Sequence, residues 1–242
     1  MRTFLKLTSA CLILGVALQG TAFAQSSGAR TFGPDSVEYA QEAQAAQAAN
    51  DHKRAIKRLK KGLKVDGLSP YETSTMYQML SASYYATQKN DKSIEAMQNA
   101  IDAGGLTRKD KTDLQANMAQ LNVVEENFAL GAQQLETYFR EGGVQKSTLV
   151  KMLVRAHVRS ENRAAAVPWA EVMLRQGYLD TRREHDVAVY LFDSPEKRAS
   201  QMQVGRQIYA KWPTDPAAIT QIKRLNAKAK REGVPTIFIA GQ

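Results

Sequence analysis

The order of apolar and polar residues predicts helices along nearly the whole chain. Apolar residues recur at intervals of three and four, as in Ile56, Leu59 and Leu63, which is the period of an amphipathic α-helix. Ser69 and Pro70, followed by Glu72, combine an N-cap, a proline suited to the first helical turn and a capping-box carboxylate. We expect about eleven helices of roughly 11 to 18 residues, and no strand before the last residues.

Other helix starts carry the same kinds of signal. Cap-and-carboxylate or cap-and-proline pairs are Asp35 with Glu38, Thr107 with Asp110, Thr181 with Glu184, Ser194 with Pro195, and Asp215 with Pro216. Short polar breaks that contain a capping asparagine lie at Asn50, Asn90, Asn127 and Asn162. Pro168 leaves two alternatives, because it either kinks a helix that begins after Asn162 or follows a helix start near Val167.

A repeat of helix pairs is the strongest pattern in the chain. Small residues stand 38 positions apart in successive second helices, at Ala55, Ser93 and Gly131. Glycines after those helices also stand 38 apart, at Gly67, Gly105 and Gly143, where we expect a left-handed backbone. A fourth copy is offset and has Ala166 and Gly177. Small residues allow neighbouring helices to approach closely, so the spacing predicts stacked helix pairs.

The first helix of the second pair resembles the tetratricopeptide repeat (TPR) family. Tyr77, Leu80, Ser81 and Tyr84 match the family's aromatic, leucine, small and tyrosine positions. The resemblance departs from the family in its period, which is about 34 in that family, and in glycine replacing the helix-ending proline. It implies an all-α solenoid of antiparallel helix pairs with a concave groove that binds a protein partner. Carried over by alignment, the groove would contain Gln78, Tyr85, Gln120, Lys151, Arg155 and Arg159.

These patterns divide the chain into five segments. They are a cleaved signal peptide at 1–24, a disordered linker at 25–34, TPR-like repeats at 35–178, degenerate or capping helices at 179–232, and an apolar tail at 233–242. We expect the tail either to pack on the last helices or to dock on a partner.

The first 24 residues have the features of an export signal. Arg2 and Lys6 precede an apolar stretch that is too short to span a bilayer, and Ala22 to Ala24 suit a signal peptidase that cuts after Ala24. An uncleaved anchor, or a lipid on Cys11, is the alternative. Cleavage would place the protein in the periplasm or outside the cell, remove the only cysteine and lower the net charge from +9 to +7.

The residues offer no recognisable catalytic, cofactor or metal motif. The histidines, His52, His157 and His185, lie far apart in the sequence, and no phosphate-binding glycine loop or nucleophile elbow occurs. Basic residues crowd the second helix, and an exposed cationic face there would include Lys53, Lys57, Lys60, Lys61 and Lys64.

The sequence therefore predicts a non-catalytic scaffold of the cell envelope. Lys151, Arg155 and Arg159 recur at helical spacing and suit an acidic partner segment in the groove. The alternative is an envelope-structural protein, or one that lies on an anionic membrane surface through its basic helices. An enzyme with an unrecognised site is a third hypothesis. We expect no nucleic acid as a partner, and the oligomeric state is open.

Overall fold

The computed structural model describes residues 30–239, which form two compact units. The first unit extends to Leu114 and the second begins at Gln115. The predicted signal peptide at 1–24, residues 25–29 of the predicted linker and the last three residues of the predicted tail lie outside the described residues.

The first unit consists of antiparallel helix pairs. Its helices are α1 (Pro34–Ala48), α2 (His52–Gly62), α3 (Pro70–Ala86), α4 (Asn90–Asp102) and the beginning of α5 (Arg108–Val124). Helix α1 packs on α2, α2 on α3, and α3 on α4. Ala55 and Ser93 are fully buried at these contacts, and the Ser93 Oγ donates to the Ser81 carbonyl oxygen at 2.9 Å. The predicted role of small residues at this register is therefore confirmed.

The second unit contains the remaining helices. They are the end of α5, α6 (Phe128–Arg140), α7 (Ser147–Arg159), α8 (Arg163–Arg175), α9 (Arg182–Leu191), a 3-10 turn (Pro195–Lys197), α10 (Arg198–Lys211) and α11 (Pro216–Arg231). Between residues 30 and 239 all regular structure is helical. None of the helices described is long and apolar enough to cross a membrane.

The capping signals predict most helix starts, although Asn50 and Asn90 are not the N-caps, which are Asp51 for α2 and Lys89 for α4. Ser69 with Glu72 and Thr181 with Glu184 form complete capping boxes, and Asn162 accepts from the Ala165 amide. The predicted box at Asp35 is wrong, because α1 begins at Pro34, one residue earlier, with Gly33 as its N-cap. The first alternative for Pro168 is correct, since α8 begins at Arg163 and contains the proline.

The repeating glycines do not all serve the turn that the sequence predicted. Gly67 and Gly177 are left-handed, with φ of 74° and 70°, but in the second and third copies the left-handed residue is the preceding one, Gly104 or Gly142. Gly105 is needed for another reason: a Cβ there would lie 2.1 Å from the Pro70 carbonyl oxygen. Close approach of two backbone segments therefore explains this member of the repeat.

A second turn repeats with the same period but uses no glycine. The link from each first helix to its second contains one left-handed residue, and these residues are Asn50, Gln88, Glu126 and Glu161, with φ between 57° and 65°. They stand 38, 38 and 35 positions apart, as the helix pairs do. Their side chains are all polar, but they share no residue type that would identify them in the sequence.

The described ends of the chain pack on their own units. Phe32, in the segment predicted as a disordered linker, meets the Tyr71 ring edge-on at 5.9 Å, and Arg30 donates to the Gly105 carbonyl oxygen. At the other end Ile237 and Ile239 are buried in the core of the second unit. The described part of the tail therefore packs on the last helices, which is the first of the two alternatives predicted for it.

Candidate interaction surfaces

The predicted groove residues of the first unit differ in exposure. Tyr85, near the end of α3, has 45% of its surface exposed, whereas Gln78 has only 8%. The Gln78 side chain is therefore packed inside the first unit and offers little surface to a partner. Of this pair, Tyr85 alone stays a candidate contact.

In the second unit Lys151 is engaged within the fold. Its Nζ lies 2.5 Å from an Asp180 carboxylate oxygen and 3.0 Å from one of Glu184. Burial works against the charged amine, but hydrogen bonds to both carboxylates outweigh it and raise the pKa of Lys151. Lys151 therefore ties α7 to the first turn of α9. This corrects the prediction that Lys151 is available, with Arg155 and Arg159, to an acidic partner segment.

Arg155 and Arg159 remain as an exposed cationic pair. They lie one turn apart on α7, and both are exposed. The Arg159 guanidinium lies over the Phe128 ring, 5.0 Å from its centroid, which holds that side chain along the surface. Neither arginine forms an ion pair with any carboxylate among the residues described. The other predicted residue of this unit, Gln120, is half-buried and donates to the Ala116 carbonyl oxygen on its own helix.

The partners of Lys151 were missed because nothing in the sequence connects them to it. Glu184 is recognisable as a capping-box residue, and it fills that role by accepting from the backbone amides of Asp180 and Thr181. Its ion pair with Lys151 crosses 33 positions of sequence, so only the packing of α7 against the α9 turn reveals it.

The basic face of α2 is present as predicted, except that Lys64 follows the helix, which ends at Gly62. Lys53, Lys57, Lys60, Lys61 and Lys64 are all exposed. Arg58 differs from them, because its guanidinium donates to a Glu42 carboxylate oxygen on α1 at 3.0 Å. The apolar side of the helix is already used, since Leu59 is fully buried in the core of the first unit. Contact with an anionic surface would therefore be electrostatic, without insertion of an apolar stripe.

The surface pockets of the second unit are shallow and open. One, of about 370 Å³, is lined by Glu136, Phe139, Arg140, Gln145 and Trp169. The Glu136 carboxylate is held there by the buried His157 ring at 3.0 Å. His185 is also buried, with its Nδ1 2.8 Å from the Thr181 carbonyl oxygen. Over residues 30–239, no group of three or more His, Cys, Asp or Glu is placed to hold a metal ion.

Comparisons with known proteins identify the fold. No family model matches the sequence, and no curated protein matches it. Solved structures do match, among them a tetratricopeptide repeat protein from Parabacteroides merdae, with 13% identity, a TM-score of 0.55, and 84% of this chain and 82% of that one covered. The crystal structure of the MamA protein also has 13% identity, with a TM-score of 0.52 over 84% of this chain and 96% of that one.

The chain therefore has a TPR-type fold, and the predicted class, an all-α solenoid of TPR-like helix pairs, is confirmed. At such low identity the likeness establishes the fold and leaves function to the chain's own surfaces.

Proposed function

We propose that this protein is a non-catalytic scaffold that binds an acidic segment of a protein partner. The observation that supports this most directly is the pair Arg155 and Arg159, exposed on one face of α7 and free of carboxylate partners among the described residues. Guanidinium groups bind carboxylates through two parallel hydrogen bonds, which gives both affinity and orientation.

The spacing of the two arginines suggests the form of the partner segment. Residues four apart on a helix have Cβ atoms about 5–6 Å apart. In an extended peptide, residues two apart lie on the same side and about 6.6 Å apart. An extended segment with carboxylates at alternate positions can therefore engage Arg155 and Arg159 together.

A pair of matched double charge reversals tests the proposal. The variant Arg155→Glu/Arg159→Glu changes two exposed residues one turn apart on α7, and Lys57→Glu/Lys61→Glu makes the same change of charge on α2. The probe is a labelled peptide of alternating Glu and Thr, followed by fluorescence anisotropy. Loss of two charged contacts should weaken binding by about tenfold or more in the α7 variant only.

The outcomes separate a specific surface from general attraction. Equal weakening by both reversals would mean that the peptide responds only to net charge, and no binding by the wild type would reject the site. Lys151 is excluded from the reversal because its removal would leave Asp180 and Glu184 without their partner and perturb the fold.

The second candidate function is attachment to an anionic membrane surface through α2. The four exposed lysines of that helix, with Lys64 just after its end, support it, since each basic residue near an anionic surface contributes about 1 kcal/mol. We expect co-sedimentation with vesicles that contain phosphatidylglycerol at low salt, and its loss at high salt because the charges are screened. Here Lys57→Glu/Lys61→Glu should release the protein and the α7 variant should not. Binding that persists in both variants would contradict this function.

The proposed place of action is the periplasm or the exterior of the cell. It depends on the signal peptide predicted at 1–24. Mass spectrometry of the protein purified after expression in a bacterial host should give an N-terminus at Gln25. An intact Met1 in the purified protein would contradict export by cleavage.

A further inference from the structure

The last described residues lie along the second unit, anchored through one edge of their backbone. After α11, Gly233 is left-handed with a φ of 68°, and the Val234 amide donates to the Ala229 carbonyl oxygen. The Asn226 side chain then makes two hydrogen bonds to one residue: it accepts from the Ile237 amide at 2.7 Å and donates to the Ile237 carbonyl oxygen at 2.8 Å. An amide side chain here takes the place of a neighbouring strand.

The side chains of this segment alternate as in an extended strand. Ile237 and Ile239 are buried, while Thr236 is exposed and Phe238 has 80% of its surface exposed. In a strand, the N–H and C=O of one residue share an edge, and those of its neighbours face the opposite edge. Because Asn226 occupies the Ile237 edge, the backbone groups of Thr236 and Phe238 face away from it.

That second edge is open. Neither the Thr236 nor the Phe238 backbone has a hydrogen-bond partner among residues 30–239. Pro235, which lacks an N–H, falls on the same edge as Ile237, so it removes no donor from the open one. Residues 234–239 carry no charge and are rich in β-branched and aromatic side chains, which is the composition of an unprotected edge strand.

We propose that this edge pairs with the same edge of a second copy of the chain. In an antiparallel pair with its twofold axis at Ile237, Thr236 of each copy lies opposite Phe238 of the other. Both pairs then exchange two N–H to C=O hydrogen bonds, so that every open group of these two residues is satisfied. Each exposed Phe238 ring packs beside a β-branched threonine, a favourable cross-strand neighbour. The contact is self-complementary, as a twofold dimer requires.

A pair of only two strands, one from each copy, should associate weakly. Sedimentation equilibrium over a range of protein concentrations therefore tests the pairing. We expect the wild type to approach twice the monomer mass as concentration rises. Phe238→Glu places like charges in the pair, and Thr236→Pro removes an open-edge donor; both variants should stay monomeric. Val144→Glu, which changes another exposed apolar side chain, is the control and should dimerise as the wild type does.

Cysteine cross-linking tests the register in a Cys11→Ser background, where no other thiol is present. Opposed residues in a hydrogen-bonded antiparallel pair have Cα atoms about 5.5 Å apart, within the range of a disulfide. A mixture of Thr236→Cys and Phe238→Cys proteins should therefore cross-link, and either alone should not. A wild-type mass that is independent of concentration, dimerisation that survives Phe238→Glu, or equal cross-linking of the single proteins would each overturn the proposal.

Discussion

Among residues 30–239, each of the two units buries one charged side chain, and the two side chains are stabilised by different chemistry. In the first unit the Glu72 carboxylate, 6% exposed, accepts hydrogen bonds from neutral groups: the Gly33 amide at 2.8 Å, the Ser69 amide at 2.7 Å, and the Ser36 and Ser69 hydroxyls. In the second unit the Arg198 guanidinium, 4% exposed, lies between the Glu232 and Asp193 carboxylates.

This difference determines how each unit responds to its surroundings. Neutral donors hold Glu72 only while it is ionised, so the first unit is sensitive to acid. Arg198 stays charged at all accessible pH, so the second unit depends on keeping its carboxylate partners. In each unit the buried charge joins a helix to a distant chain segment, Glu72 to Gly33 before α1 and Arg198 to Glu232 just after α11.

The largest expected effect is the loss of the buried guanidinium. Arg198→Ala removes a buried side-chain stem and its charged hydrogen bonds to Glu232 and Asp193, although Lys228 still pairs with Asp193, and should destabilise the second unit by about 2–4 kcal/mol. Both tryptophans of the chain, Trp169 and Trp212, lie in that unit, so tryptophan fluorescence during urea unfolding reports on it. Arg206→Ala, at an exposed position of the same helix, should change the unfolding free energy by less than about 0.5 kcal/mol. Similar values for the two variants would contradict the buried-charge role.

The next effect is the acid response of the first unit. Burial opposes the charge of Glu72, but the hydrogen bonds from Ser36, Ser69 and Gly33 outweigh burial and lower its pKa from 4.5 to about 2. The resulting stabilisation, about 3 kcal/mol, is complete above pH 4.5 and is lost as the pH falls towards 2.

Glu72→Gln should remove that stabilisation at neutral pH and flatten the decline in acid. Amide hydrogen exchange of α1 and α3 measures it within the first unit. A unit-specific probe is required because the Lys228 and Arg198 side chains also hold the pKa of Asp193, in the second unit, at about 2. Glu95→Gln, at an exposed position of α4, is the control and should keep the wild-type acid profile. An unchanged profile in Glu72→Gln would show that this carboxylate is not the acid-sensitive group.

A smaller effect on stability is expected when either of two glycines that share a repeat position, Gly105 and Gly143, is replaced by alanine. A Cβ at Gly105 would lie 2.1 Å from the Pro70 backbone, whereas at Gly143 the nearest atoms belong to the Tyr138 ring. A ring can rotate away more easily than a backbone can shift. We expect Gly105→Ala to cost about 1–3 kcal/mol and Gly143→Ala to cost less. The opposite order, measured by urea unfolding, would show that the backbone contact is readily relieved.

The smallest effect concerns the left-handed residues that link first and second helices. Gln88 in the first unit and Glu161 in the second have φ of 58° and 60°, which is unfavourable for residues with a Cβ. Gln88→Gly and Glu161→Gly should each be stabilising by about 0.5–1 kcal/mol, after the greater freedom of glycine in the unfolded chain is deducted. A loss of stability in either variant would mean that the side chain, and not the backbone angle, determines that turn.

Much of the architecture was predictable from local sequence. The capping boxes at Ser69 and Thr181 mark where α3 and α9 begin, and the small residues Ala55 and Ser93 mark where helices touch. These predictions succeed because a cap and its partner lie three residues apart, and because a buried small residue recurs with each helix pair.

The candidate surface was predicted less well. Helical spacing correctly places Lys151, Arg155 and Arg159 on one face of α7, but it cannot show that two carboxylates from the α9 region neutralise only the first. It also could not show that Gln78, at a nominal groove position, is buried. Exposure and ion pairing depend on neighbours that are distant in sequence, and no local pattern contains them.

The sequence by itself determined the helices, most of their starts and the period of the pairs, because hydrogen bonds within a helix, caps and apolar periodicity are local properties of the chain. Tertiary structure alone decided which charges stay free. It engaged Lys151 and left Arg155 exposed, it buried Glu72 and Arg198 among their partners, and it turned one edge of the Thr236–Phe238 backbone outward. Each of these outcomes requires groups from separate helices to meet, and burial and electrostatic pairing act only at that short range.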